Sequence, residues 1–193
     1  MLPKGSISRV TEYYYTALEF RGEVLRALRW FFDRPDLDTG GSLKTTGQGE
    51  AFFNEWFLFD FLLGTGRTVL EDFVASNPLK LNGTELELYR NLLDNTYGIF
   101  ETLDVERGQG LTLKDLRTRK QWAVREFSAT FNLEQGDVFF SRIGKVGDHY
   151  ELVGADSFSF QGVDEVTKKS LRREKPKLTP KVVHDFLRGR GIL

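Results

Sequence analysis

The chain has 193 residues, 40% of them hydrophobic, with 17 Phe, 6 Tyr and 3 Trp, which is enough apolar surface to exclude disorder of the whole chain. Its 27 basic and 28 acidic side chains nearly cancel, so global charge gives no case for a nucleic-acid or membrane partner. Cysteine is absent, which excludes disulfides, thiolate nucleophiles and cysteine-ligated zinc.

The expected location is the cytoplasm, without a membrane partner. The first residues do not lead into the apolar stretch of a secretory signal, and the lack of cysteine fits a reducing compartment. The most apolar segment, Trp56 to Leu63, is interrupted by Asp60. It is far shorter than the roughly 20 residues that a membrane-spanning helix requires.

Apolar residues at three- and four-residue spacing predict that the first half of the chain is helical. A glycine-rich loop is predicted from Asp36 to Gly49. The predicted helices run from about Ser6 to Asp33, from Glu50 to Leu63, from Thr68 to Asn77, and from a cap at Asn82 or Thr84 to Leu93.

The period of the hydrophobic pattern changes to two at Tyr97, which predicts β-strands. Turn residues separate five strand candidates of about ten-residue spacing, a pattern typical of a small curled sheet or partly closed barrel. The predicted strands are Tyr97 to Glu106, Leu111 to Leu116, Gln121 to Phe127, Asp137 to Val146 and His149 to Phe158.

Helical periodicity returns in the tail, where Val163 to Lys175 and a helix capped by Thr179-Pro180 are predicted. We therefore expect an α+β fold in which an N-terminal helical half, residues 1–95, packs on a small antiparallel β-barrel or curled sheet, residues 96–160. Residues 161–193 would form a basic C-terminal helical segment. The three parts together would make one compact unit.

This C-terminal segment carries the clearest charge asymmetry in the sequence. Such a segment can neutralise several phosphates and favours nucleic acid as a partner, although a solvated helix face explains it equally well. The candidate contacts are Lys168, Lys169, Arg172, Arg173, Lys175, Lys177 and Lys181. Exposed aromatic residues on the adjacent barrel would strengthen this hypothesis, because they can stack on bases. The candidates are Trp122, Phe127, Phe139 and Tyr150.

The aromatic residues of the first helix suggest a competing function. They point in several directions, more than one buried stripe needs, so a protein partner or a second copy could bind there. The candidate residues are Tyr13, Tyr14, Tyr15 and Trp30. In this interpretation the protein is an adaptor or inhibitor.

No catalytic residue, metal or cofactor is predicted. The two histidines, His149 and His184, share no metal-ligand spacing, and Gly64 to Thr68 lacks the lysine of a phosphate-binding loop. Glu55 and Asp60 lie in a very apolar segment, where a charge needs a partner. Either Arg67 or Arg125 pairs with them, or they lie on the narrow exposed edge of the helix. In a carboxylate-dependent hydrolase they would instead form a site with a raised pKa or a bound divalent ion.

Four motifs, in this order, resemble a group of uncharacterised prokaryotic proteins that often carry a SEC-C zinc motif. They are Phe53-Asn54-Glu55-Trp56-Phe57-Leu58-Phe59-Asp60, Gly66-Arg67-Thr68-Val69-Leu70-Glu71, Tyr97-Gly98-Ile99-Phe100-Glu101 and Gly136-Asp137-Val138-Phe139-Phe140-Ser141-Arg142. The resemblance implies a prokaryotic or phage-related origin and a helical-then-β organisation. The chain lacks the cysteines of the zinc motif, so the role of that motif is not transferred.

Overall fold

A computed structural model describes residues 2–37, 47–154, 158–160, 162–173 and 178–192. These residues form a mixed α+β structure with seven α-helices and six β-strands, which confirms the predicted class. Within them, no helix is long and apolar enough to cross a membrane. The chain divides into two units. The sheet unit comprises Met1–Leu2 and Arg90–Leu178, and the helical unit comprises Pro3–Tyr89 and Thr179–Leu193.

The helices and strands are numbered in chain order. The helices are α1 (Ser6–Thr16), α2 (Arg21–Phe31), α3 (Gly47–Phe59), α4 (Val69–Ser76), α5 (Gly83–Asn91), α6 (Glu165–Arg173) and α7 (Pro180–Gly189). The strands are β1 (Asn95–Glu106), β2 (Gly110–Asp115), β3 (Gln121–Arg125), β4 (Val138–Val146), β5 (His149–Leu152) and β6 (Phe158–Phe160). The switch from helices to strands at residue 95 agrees with the change in hydrophobic period.

The predicted single helix over Ser6 to Asp33 is wrong, because it breaks at Ala17. Ala17 has an extended backbone, and the Thr16 hydroxyl donates back to the carbonyl groups of the preceding turn. Such local hydrogen bonds compete with helix continuation. The break lets Phe20 turn onto Tyr14, with ring centroids 4.4 Å apart.

The second predicted helix ends earlier than expected, at Phe59 rather than Leu63. Beyond it, Leu62 forms an isolated antiparallel bridge with Thr68. Thr68 then starts α4 with a capping box, in which its hydroxyl accepts from the Glu71 N–H and the Glu71 carboxylate accepts from the Thr68 N–H. Two otherwise unsatisfied backbone donors are thereby paired.

Helix α7 belongs to the helical unit. Its start agrees with the prediction, since Thr179 caps it and Pro180 is the first residue. Val183, His184 and Leu187 are buried, and the His184 ring lies 4.9 Å from that of Phe31. This apolar face groups α7 with the N-terminal helices.

Five strands of the sheet unit close into a ring in the order β1-β2-β3-β5-β4-β1, and β6 pairs with β4 outside the ring. All pairs are antiparallel except β3 with β5, which are parallel. The predicted strand from His149 to Phe158 is wrong as a single element, because it is divided between β5 and β6. Because five strands close into a ring, the sheet is curled, as predicted.

Ring closure depends on the length and curvature of β1, which has 12 residues. Its first half pairs with β4 and its second half with β2. The register shifts between Thr102 and Asp104, and such bulges bend a strand. The enclosed core is apolar and consists of Phe100, Leu111, Leu113, Val124, Leu133, Phe139 and Ile143.

Gly110 allows β2 and β3 to approach closely. A Cβ at this position would lie 2.5 Å from the Val124 carbonyl oxygen, so Gly110→Ala should destabilise the sheet unit by about 1–2 kcal/mol through overpacking. Gly22→Ala is the matched control, because a Cβ on this helical glycine meets nothing within 4 Å. It should stabilise by about 0.5 kcal/mol. Urea denaturation measures both, and equal stability of Gly110→Ala and wild type would contradict the close approach.

Candidate nucleic-acid interface

The outward side of the β2–β3 hairpin is solvent-accessible and polar. Alternation places Leu111 and Leu113 in the core, so the intervening residues face outward. We call this side the β2–β3 face. Its side chains are Thr112, Lys114, Gln121, Ala123 and Arg125, all half-buried or exposed.

Two phenylalanine rings project at one end of this face, in the connection from β3 to β4. Phe127 is 55% exposed and Phe131 is 53% exposed, and their ring centroids are 5.3 Å apart in an edge-to-face arrangement. The Thr130 hydroxyl donates to the Phe127 carbonyl at 2.6 Å and accepts from the Gly108 N–H at 2.9 Å. The first bond stabilises the connection internally and the second holds it against the β1–β2 turn, so the rings lie on an ordered support.

The segment from residue 107 to residue 125 is strongly basic. It contains one acid, Asp115, whose buried carboxylate accepts from the backbone N–H groups of Arg117 and Thr118 at 2.7 and 3.0 Å. The six basic side chains are Arg107, Lys114, Arg117, Arg119, Lys120 and Arg125. Acidic Glu106 and Glu126 flank the segment. This segment of β2, β3 and their turns therefore carries six basic side chains against one acidic side chain.

The other three aromatic candidates are held in the sheet. Phe139 is fully buried, while Trp122 and Tyr150 are half-buried against the core, 4.8 Å apart between ring centroids. The Tyr150 hydroxyl donates to Asp94 at 2.7 Å. That hydrogen bond, followed by burial, raises the pKa of Tyr150. Lys120 Nζ lies 3.5 Å from the centroid of the Trp122 ring, a cation–π contact where the β2–β3 turn enters β3.

Lys168 of α6, a predicted phosphate contact, is buried and forms an ion pair with two glutamates. Its Nζ lies 2.6 Å from Glu101 and 3.4 Å from Glu165. Burial by itself raises the pKa of Glu101, but the hydrogen bond and charge of Lys168, with the charge of Lys114, outweigh burial and lower it. The same hydrogen bond raises the pKa of Lys168 against the opposing effect of burial. This ammonium therefore has a structural role in the sheet unit.

The other predicted contacts of this region differ in their surroundings. Lys169 is exposed, and Arg172 Nη2 lies 3.9 Å from Glu165. Arg173 ends α6, and its side chain lies outside the described residues, as do Lys175 and Lys177. Phosphate binding by these residues stays a prediction.

Lys181, the last predicted phosphate contact, lies in the helical unit. Its side chain is buried and donates to the Phe31 carbonyl at 3.0 Å and to Asp185 at 2.8 Å. It also lies 4.9 Å from the ring of Trp30, which is 56% exposed and stacks on Trp56. Lys181 thus joins α7 to the end of α2, and Trp30 offers an aromatic surface to solvent.

The three consecutive tyrosines of α1 have different environments. Tyr14 is fully buried and donates to Asp72 at 2.6 Å, and burial followed by this hydrogen bond raises its pKa. Tyr13 is half-buried, edge-on to Tyr14 at 5.2 Å. Tyr15 is 39% exposed and donates to Asn54. Only Tyr15 and Trp30 of the four proposed partner contacts are therefore exposed.

The carboxylates proposed for a hydrolase lie at different positions in the helical unit. Glu55 is buried within α3, while Asp60 follows the helix and is half-buried. In the part of the chain that the structure describes, no group of three or more His, Asp or Glu side chains could hold a metal ion.

Comparison of the chain with family models, curated proteins and solved structures finds no match. The resemblance to the SEC-C-associated group therefore stays a prediction.

Sequence reasoning missed the basic residues of β2, β3 and their turns. The available signal was the run from Lys114 to Lys120, in which four of seven residues are basic.

Proposed function

We propose that the sheet unit is a small barrel that binds single-stranded nucleic acid on the β2–β3 face. The observation that carries this proposal is the exposed Phe127–Phe131 ring pair at the end of a strongly basic hairpin. Phe127 was one of the aromatic residues whose exposure would favour nucleic-acid binding, and it is exposed.

The connectivity of the ring supports the proposal by analogy of fold. An antiparallel β1-β2-β3 meander, closed by β4 against β1 and by a parallel β3–β5 pair, is the strand arrangement of the oligonucleotide/oligosaccharide-binding (OB) barrel. Such barrels bind oligonucleotides on the face of strands two and three, between the loops that join strands 1–2 and 4–5. Because a fold alone does not specify a function, the proposal depends on the side chains at this face.

Those side chains favour a single strand over a duplex. Exposed rings stack on unpaired bases, a contact worth about 1–3 kcal/mol per base and tolerant of sequence. In a duplex the bases are already stacked on one another and the rings could not reach them. Arg107 and Arg125, exposed at the same end as the rings, would neutralise the phosphates beside the stacked bases. We therefore expect little sequence preference.

Salt dependence tests this proposal directly. Binding to an oligo(dT) should weaken as salt rises, with a log–log slope of about −0.7 for each phosphate neutralised on a single strand. Replacing Arg107 and Arg125 by Gln should reduce the magnitude of the slope by about 1.4. Fluorescence anisotropy at a series of salt concentrations provides the measurement.

The matched control is the pair Lys169→Gln and Arg172→Gln, which removes two predicted phosphate contacts from α6. If the β2–β3 face binds the strand, this control should leave the slope near the wild-type value. A slope that changes only in the α6 variant would move the site to the C-terminal segment. No binding at low salt would contradict the proposed function.

The second candidate function is a protein-binding adaptor or a homodimer. It is favoured by the exposed apolar residues of the helical unit, above all Trp30 at 56% and Leu18 at 81% exposure. Oligo(dT) would then bind weakly or not at all, and substitutions on the β2–β3 face would not alter partner binding. The salt series therefore distinguishes the two functions.

A further inference from the structure

We propose that a bound single strand runs lengthwise along the β2–β3 hairpin, from the rings of Phe127 and Phe131 to the β2–β3 turn, where Arg119 and Lys120 bind its phosphates. This inference rests on the proposed function and names the path and the length of the strand on the same face. The β2–β3 turn spans residues 116–120. It lies at the opposite end of the hairpin from the rings.

The turn end of the hairpin carries two exposed cations. Arg119 and Lys120 are both exposed, and the Lys120 ammonium lies on the Trp122 ring rather than beside a carboxylate. Lys114, at the same end, is half-buried, and its ammonium lies 3.7 Å from Glu101. Arg119 and Lys120 are therefore the side chains of this end that are best placed to bind phosphates.

The middle of the face is uncharged and has small side chains. Thr112 and Ala123 are direct partners in the pairing of β2 with β3, and direct partners lie on the same side of a sheet. Neither side chain is large or charged. The sugar–phosphate backbone can therefore pass between the two basic ends without a steric obstacle.

An acidic row on β1 borders the hairpin along one side. The register of β1 with β2 places Glu101 beside Lys114 and Asp104 beside Thr112, so both carboxylates lie on the same side of the sheet as the β2–β3 face. Exposed Glu106 ends the strand. A polyanion that turned towards β1 would approach three like charges, which repel it.

The β4–β5 turn borders the hairpin on the other side and is also acidic. It consists of Gly147 and Asp148, and the Asp148 side chain is 87% exposed. OB barrels bind their ligands between the loops that join strands 1–2 and 4–5. In this chain that path would bring phosphates towards an exposed carboxylate. Repulsion on both sides therefore directs the strand along the hairpin.

The length of the hairpin sets the length of the bound strand. Lys120 and Arg125 are five residues apart in the chain, and a rise of about 3.3 Å per residue separates them by about 17 Å. One strand of a stacked helix advances about 3.4 Å per nucleotide, and an extended strand advances further. The path therefore takes at most about five nucleotide steps, near the lower end of the range for one OB fold.

The experiment compares two ligands of the full chain, a thymidine dinucleotide and a dodecamer of oligo(dT). The dinucleotide can occupy the ring end but cannot reach the turn. Replacing Arg119 and Lys120 together by Gln should weaken dodecamer binding roughly tenfold at low salt and reduce the magnitude of its salt slope by about 1.4. Dinucleotide affinity should stay unchanged. Anisotropy measures the dodecamer, and ¹H–¹⁵N NMR shift changes measure the weaker dinucleotide.

The matched control is the pair Arg107→Gln and Arg125→Gln at the ring end. It removes two cations from the part of the face that both ligands occupy, so it should weaken the binding of both. The thermal transitions of the two double variants should equal that of wild type, because all four side chains are exposed.

The outcomes separate this inference from the function on which it rests. Unchanged dodecamer affinity in the Arg119 and Lys120 variant, or an equal loss for both ligands, would overturn the inference and leave the proposed function intact. Dinucleotide binding that shifts the turn and not the rings would also overturn it. If neither ligand bound to wild type, both the inference and the proposed function would be contradicted.

Discussion

Replacing Phe127 and Phe131 together by Ala is expected to weaken oligo(dT) binding about 30-fold, because both exposed rings lose their stacking with bases. Each base stacked on an aromatic side chain contributes about 1–3 kcal/mol, and a combined loss of about 2 kcal/mol corresponds to roughly 30-fold in affinity. The single substitutions should each have a smaller effect. Fluorescence anisotropy at fixed low salt measures all three variants.

Two controls isolate the stacking contribution. Phe186→Ala removes a ring that is 40% exposed but lies on α7 of the helical unit, so its affinity should equal that of wild type. The thermal transition of the double variant should stay close to that of wild type, because rings that are more than half exposed add little to the core. Unchanged affinity in the folded double variant would exclude the ring pair from the site.

Lys168→Met is expected to reduce the free energy of unfolding by about 2–3 kcal/mol. The substitution leaves the half-buried Glu101 without its closest cation, and removing one partner of a fully buried pair costs about 3–5 kcal/mol. We expect a somewhat smaller loss, since Lys114 Nζ remains 3.7 Å from Glu101. Urea denaturation at neutral pH provides the measurement.

Lys169→Met is the matched control, because the neighbouring side chain on α6 is exposed. It should change stability by less than about 0.5 kcal/mol. Equal effects of the two substitutions would mean that the Lys168–Glu101 pair does not stabilise the sheet unit. They would also restore Lys168 as a candidate phosphate contact.

The pH dependence of this difference follows from the direction of the pKa shifts. Glu101 has a lowered pKa in the folded state. Its contribution to the free energy of unfolding is therefore fully present above the pKa of the unfolded chain, about 4.3. It is lost as pH falls through the lowered folded value. Lys168 has a raised pKa, so its contribution is present below about 10.4 and is lost as pH rises through the raised value. The wild-type advantage over Lys168→Met should therefore be greatest between these limits.

Much of the fold could be predicted from local sequence patterns. Period 3.6 identified the helices, period two identified the strands, and Thr68, Asn82 and Thr179 marked three helix starts. These signals are local, because they depend on the spacing of apolar residues and on capping groups. Ring closure was predicted only in outline. The parallel β3–β5 pair joins Val124 to Tyr150, which are far apart in the chain, so no local sequence pattern indicates this pairing.

The candidate site was predictable only in part, because charge along a chain does not reveal which side chains are paired. The sequence pattern places Lys168 and Lys181 in one basic tail. In the fold, Lys168 is buried beside Glu101 of β1, and Lys181 is buried beside Asp185, one helical turn away. The sequence predicts both Phe127 and Phe139 as possible platforms for stacking with bases. Their exposure differs because Phe139 lies on the inner side of β4, whereas Phe127 follows the end of β3.

The most direct test of the central claim is a two-dimensional ¹H–¹⁵N NMR titration of the full chain with oligo(dT) at low salt. We expect the largest shift changes at Gly108, Arg125, Phe127 and Phe131, and along the β2–β3 face, with little change in α1 to α5. Changes confined to α6 or to the helical unit, or a spectrum that stays unaltered at saturating oligo(dT), would contradict nucleic-acid binding by this face.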